Sequence, residues 1–146
     1  GLEDVYHKPH SLYFSRYPMG REATLDWKSV DLKFKNDSEY GVLLQAWTTG
    51  RTGSTGSSTV RGWSTKTYTK VVASKPRQSN WRAPGKPIYN KAKDCVPQSA
   101  MSGFDVRYER LFYQGKKVVK KEPFFWSYNT LTPVVCGEDP AKKKDA

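Results

Sequence analysis

Long apolar runs are missing from this chain. The longest, PFFW, covers only Pro123 to Trp126, far short of the roughly 20 residues a spanning helix needs, so no membrane span is expected. Histidine is scarce, with His7 and His10 the only two, and the only cysteines, Cys95 and Cys136, are far apart and outside any C-x-x-C spacing. Zinc wants three or four ligands, and Pro9 discourages the helical turn that would bring His7 and His10 onto one ion, so no metal and no cofactor are expected. The glycine-rich stretch TGRTGSTGSS, Thr49 to Ser58, lacks the Gly-Lys-Ser/Thr ending and the following helix of a nucleotide phosphate loop. Helical periodicity is almost absent, which excludes a bundle. No initiator Met or charged-then-apolar leader stands at Gly1; a mature product or, by preference, a piece of a longer chain is expected, with Gly1-Leu2 as the end of a helix left behind.

What is abundant is positive charge and aromatic rings. The 146 residues carry 25 Lys and Arg against 14 Asp and Glu, a net charge of +11. Such a surplus draws anionic partners: nucleic acid, anionic lipid or an anionic cell-wall polymer. Hydrophobic residues make up 36% and aromatics 14%, so the core should be built from Tyr, Trp and Phe, which favours sheets. Alternation with a period of two recurs and predicts an all-β fold, an antiparallel sandwich or partly open barrel of about six to seven strands with long irregular loops. One domain over 1–139 is expected, then a charged, disordered tail over 140–146.

Three hairpins are predicted. VDLKFKND turns at NDSEYG and returns through Val42, Leu44 and Ala46. After a mobile Gly/Ser/Thr loop, STVRGWST and TYTKVVASKP form a second, joined near Thr65 and Lys66. An irregular stretch, RQSNWRAPGKPIYNKAKD, follows, anchored by Trp81 and Tyr89. The third hairpin pairs FDVRYERLFY with VVKKEPFFWSYN through QGKK, with Phe104, Val106, Tyr108 and Phe112 on one face. Pro123 cannot donate a ladder hydrogen bond and places the returning strand on an edge or at a bulge. Cys95 and Cys136 read most simply as one disulfide, formed outside the reducing cytosol; two buried thiols are the alternative.

The candidate chemical groups are few. His10 and Ser11 are adjacent, and neighbours on an extended chain point opposite ways, so they do not make a self-contained dyad. Glu22, Asp26 and Asp31 share one stretch, but Asp31 alternates outward beside lysines. Cations interleave with rings at Arg61-Gly62-Trp63, Asn80-Trp81-Arg82 and Arg107 to Tyr113, with Arg16 and Arg21 in the opening segment. Bases could stack on such rings in a single-strand nucleic-acid-binding β domain, although alternation in the last segment and the expected disulfide argue against it.

The stretch HKPHSLYFSRYPMGREATLDWKSVDLKFKNDSEYGVLLQAW resembles the later half of the VanW-like domain, named for an accessory protein of glycopeptide-resistance clusters. His10-Ser11, Tyr17-Pro18-Met19-Gly20, Glu22-Ala23-Thr24-Leu25, Asp31 to Asn36 and Val42-Leu43-Leu44 stand where that family has an HS pair, a Tyr-Pro-Gly turn, a D-A-T-V segment, D-L-x-F-x-N and a hydrophobic strand. The family's Asp is Glu22 here. Residues beyond the stretch are similar to a C-terminal extension of large, membrane-anchored, cell-wall-associated members from Gram-positive bacteria. The resemblance implies an extracytoplasmic cell-envelope module that binds anionic cell-wall polymer or peptidoglycan, without catalysis by itself, alongside upstream domains of the same polypeptide. Arg16, Arg21, Arg61, Trp63, Trp81 and Arg82 are the expected binding residues. An alternative follows from the family's G-x-C-Q motif, which would fall ahead of Gly1: a cysteine-dependent cell-wall enzyme, of which this chain holds His10, Ser11 and Glu22.

Overall fold

A computed structural model describes residues 2–50 and 56–143. Ten strands lie within them: β1 (Glu3–Tyr6), β2 (Lys33–Lys35), β3 (Val42–Thr49), β4 (Ser57–Ser64), β5 (Lys70–Ala73), β6 (Arg77–Arg82), β7 (Ile88–Asn90), β8 (Gly103–Gln114), β9 (Lys117–Tyr128) and β10 (Val134–Cys136). A 3-10 turn over Pro140–Lys143 is the only helical element among the described residues. The fold is all-β, as expected, with no sheet closed into a barrel among the described residues. It has more strands than the six or seven expected, because β1, β6, β7 and β10 form in stretches that read as loop or were given no element, three of them only three or four residues long.

The β8–β9 hairpin is the spine. It forms where predicted, from Phe104↔Tyr128 to Gln114↔Lys117, with a bulge after Phe112. Strand β9 pairs with β8 alone, so Pro123, opposite Glu109, sits on an edge strand where its missing N–H breaks no ladder. Along the other side of β8, β5 and β6 lie end to end, β5 against Arg110 to Tyr113 and β6 against Gly103 to Arg107. Ser74 joins them by accepting from Glu109 N and donating its own N–H to Glu109 O.

Two expected hairpins do not form. Strand β2 pairs with β1, not β3, and β3 pairs with β4 from Val42↔Ser64 to Thr49↔Ser57, which leaves β5 to join β8. Asn36 explains the first correction: its side chain holds Ser38 and Tyr40 in a self-contained turn that redirects the chain without setting a two-strand register. The second arises because the Gly/Ser/Thr stretch closes a hairpin instead of separating two. A side chain at Gly56 would lie 2.5 Å from Thr49 O, so the strand mouth closes only over glycine. The rest of the expected mobile loop, residues 51–55, lies outside the described residues, as do Gly1 and its expected helix end. Residues 77–94 are not an irregular loop but contain β6 and β7. Strand β7 runs parallel to β10, and the Cys95–Cys136 disulfide fastens the two beside Cys136↔Asn90. Spanning 41 residues, it stabilises the fold by about 4 kcal/mol in the chain-entropy model. That is sizeable where the buried hydrophobic core is as small as Phe104, Val106, Phe112 and Tyr128.

The inner face of the four-stranded sheet is covered by the irregular segment from Lys8 to Thr24. Tyr13 packs edge-on against Phe104 and tilted against Tyr128, and Met19 completes the cover. Backbone bonds tie the segment down: Trp126 Nε1 donates to His10 O at 2.9 Å and Asn129 N to Ser11 O at 2.7 Å. Gly20, at φ 68°, comes so close that a Cβ would stand 3.1 Å from Val106 Cγ1.

On the outer face a bulge in β6, where Asn80 takes φ 49°, swings Arg82 over the buried Asp105. Asn80 Nδ2, Ser127 Oγ and Arg82 Nη1 donate to its carboxylate at 2.8, 2.7 and 2.9 Å. These bonds favour the charged form and hold Asp105 at about 2, below the ordinary 3.8. Because the folded-state value is depressed, the stabilisation is complete above the unfolded value and fades as pH falls from about 4 toward about 2. Thermal melts of wild type and Asp105→Asn should therefore differ most near neutral pH and converge as pH falls through this window; a constant gap would contradict the assignment.

Candidate functional site

Strands β3 and β4 form a free-standing ribbon that pairs with no other strand among the described residues. Its alternation places Leu43, Gln45 and Trp47 on one face with their partners Trp63, Arg61 and Thr59, and Leu44 and Ala46 on the other with Gly62 and Val60. A two-stranded ribbon normally buries one face, yet here Trp63 is 54%, Val60 68% and Leu43 61% exposed. Trp63 Nε1 reaches Gln45 Oε1 at 3.4 Å, and the Arg61 guanidinium lies 5.2 Å over the Trp47 ring. Two indoles thus flank a cation along one face, on rows four residues or about 14 Å apart. Such a track suits an extended ligand that offers apolar ring faces and negative charge.

The sequence-derived binding residues do not gather in one patch. Arg61 and Trp63 meet on this ribbon, and the Trp47 partner emerges only from the register. Trp81 lies on β6, 60% exposed, with its ring 4.6 Å from Phe104. Arg82, on the same strand, commits its guanidinium to Asp105, Ser127 Oγ and Tyr128 O. Arg16 and Arg21 are exposed on the covering segment. Arg21 borders a cleft of about 370 Å³, walled by Leu2, Phe34, Val72 and Phe124. In that cleft His7 Nδ1 stands 2.6 Å from Asp4 Oδ2. The Tyr108 hydroxyl is there too, pushed up to about 12 chiefly by burial and then by the charge of Asp4.

The remaining candidates lie at the end of the covering segment. Glu22 is brought beneath the sheet with its side chain 7% exposed, and Oε1 accepts from the Tyr128 hydroxyl at 2.8 Å. That hydroxyl also accepts from Gly20 N at 2.6 Å. Burial, followed by the Glu22 contact, pushes the Tyr128 phenol up, against the opposing pull of the Gly20 N–H. His10 Nδ1 stands 3.9 Å from Glu22 Oε1, too far for a hydrogen bond, and the imidazole stacks on Tyr17. Neither His10 Nδ1 nor Glu22 Oε2 has a partner among the described residues. Ser11 is exposed and takes part through its backbone carbonyl, so the structure joins His10 to Glu22 and leaves the hydroxyl outside. Tyr128, which completes the group, carries no local signal in WSYN; only its long-range partners reveal it. Asp26 and Asp31 are exposed, and among the described residues no three His, Cys, Asp or Glu side chains gather around a metal position.

Comparison with known proteins adds one match. Neither a curated protein nor a solved structure matches the chain. The family model described as VanW like protein matches residues 1–56, which take in the covering segment, β1, β2 and β3. Over residues 1–56, therefore, this chain is similar to the VanW-like family.

Proposed function

We propose that this chain is an extracytoplasmic module of a VanW-like protein that binds anionic cell-wall polymer or peptidoglycan and is not itself a catalyst. The observation that carries the reading is the exposed Trp63, Arg61 and Trp47 track on a ribbon with no strand partner. Sugar rings would lie against the indoles while phosphate or carboxylate meets Arg61 and the wider surplus of +11. The disulfide and the match to the VanW-like family over residues 1–56 are compatible with a place outside the cytoplasm. Exposed cations act over about 8–10 Å at physiological ionic strength, so binding should weaken with salt while the contribution of the rings persists. Pull-down on purified cell walls should retain the chain at low salt, lose most of it in high salt or after removal of the anionic polymer, and fall about tenfold in Trp63→Ala. Retention indifferent to salt, polymer and Trp63 would remove the proposal.

A second reading draws on one specific feature, the buried Glu22 set behind His10, with His10 Nδ1 and Glu22 Oε2 unpartnered among the described residues. In it, His10 serves a thiol carried upstream by the full-length protein, since a thiolate needs a nearby imidazole to be reactive. Alkylation of that thiol should slow severalfold in full-length His10→Ala; equal rates across neutral pH would exclude it.

A further inference from the structure

On the outer face of the sheet, Arg77 of β6 and Arg107 of β8 are directly opposite in an antiparallel register, so both guanidinium groups leave from the same side. Like charges so placed repel and cost stability unless something lies between them. The neighbouring charges on the sheet are neutralised: Asp105 by Arg82, Glu122 by Arg110 and Lys120, and Glu109 faces Lys121 at 3.9 Å. Arg77 and Arg107 have no carboxylate partner among the described residues; the only aromatic support is Phe125, 4.6 Å beneath the Arg107 guanidinium and next in the same row. The pair borders an open groove of about 650 Å³ whose walls add Ser74, Ser79 and Phe125. Glu109 also borders it, leaving a net positive charge once Lys121 is counted.

We propose that this groove is a phosphate-binding site. A carboxylate offers two oxygens and saturates one guanidinium fork, whereas a phosphate offers oxygens to a fork on each side and can bridge the two arginines. Ser79, one row along β6, supplies a neutral donor at the end of the bridge. The site is on a different sheet from the Trp63 ribbon and does not rest on the function proposed for it.

Titration of the purified, disulfide-intact chain, followed by backbone amide NMR, tests the proposal with three probes: inorganic phosphate, a glycerol phosphate oligomer and acetate. Phosphate should shift the amides around Arg77 and Arg107, acetate at equal ionic strength should not, and Arg77→Gln with Arg107→Gln should weaken phosphate binding at least tenfold. A tighter response to the oligomer identifies a polymeric phosphodiester as the ligand, and a tighter response to inorganic phosphate a terminal phosphate. Removing the repulsion should leave the melting temperature of the double variant equal to or above that of wild type, so loss of binding is separable from loss of fold. Trp63→Ala should bind phosphate normally even if it no longer binds cell walls. An acetate response equal to that of phosphate, or an unchanged affinity in the double variant, would overturn the site.

Discussion

The hydroxyl of Tyr128 is the point on which the structure turns. It is wholly buried, takes a hydrogen bond from the Gly20 amide and gives one to Glu22, residues more than 100 positions away in the chain. A buried amide or carboxylate without such a partner costs on the order of 1–3 kcal/mol, so the Gly20 amide and Glu22 Oε1 of the covering segment both depend on this one hydroxyl. Glycine is favoured where they cross, because φ is 68° and a Cβ would press on Val106 Cγ1 at 3.1 Å. The residues that match the VanW-like family therefore depend for their conformation on β8 and β9, which lie beyond the match. The cover lies within the familiar part of the sequence, and the sheet it covers lies in the unfamiliar part.

This division explains where polar chemistry can collect. The inner face, covered by Tyr13 and Met19, gathers Glu22, His10 and Tyr128 at one end of the cover and Asp4, His7 and Tyr108 in the cleft beside it. The outer face meets water and carries arginines, one of them consumed by Asp105 and two left facing each other. The ribbon stands outside both, with rings exposed on a surface that a folded protein ordinarily hides. Binding surfaces and the buried acid are thus separate features, which is why polymer binding and participation in catalysis are separable by experiment.

Alternation in the sequence was enough to read side-chain faces. It put Phe104, Val106 and Phe112 on one face of a hairpin turning at QGKK, and the missing N–H of Pro123 called for an edge or a bulge, because these rest on neighbours within one hairpin. It was not enough to choose partners for the shorter strands. A period of two tells which way Leu32 and Leu44 point, not whether β2 meets β3 or β1, and the Asn36 turn looks in sequence like a hairpin turn. Arg82 shows the same limit at the level of a site: beside Trp81 it reads as a surface cation, and only the Asn80 bulge turns it onto Asp105. His10 and Glu22 stand out both as local candidate groups and through the family resemblance, but Tyr128 and the unpaired atoms come from contacts between distant segments that no local pattern records.

Amide hydrogen exchange at Gly20 tests most directly whether the cover and the sheet form one cooperative unit. With Tyr128 intact, the Gly20 amide should exchange only through global unfolding, at the same free energy as Val106 on β8, and in Tyr128→Phe it should become the faster of the two by tenfold or more. Exchange of Gly20 at an open-loop rate in the wild type, or no change on removing the hydroxyl, would contradict the account.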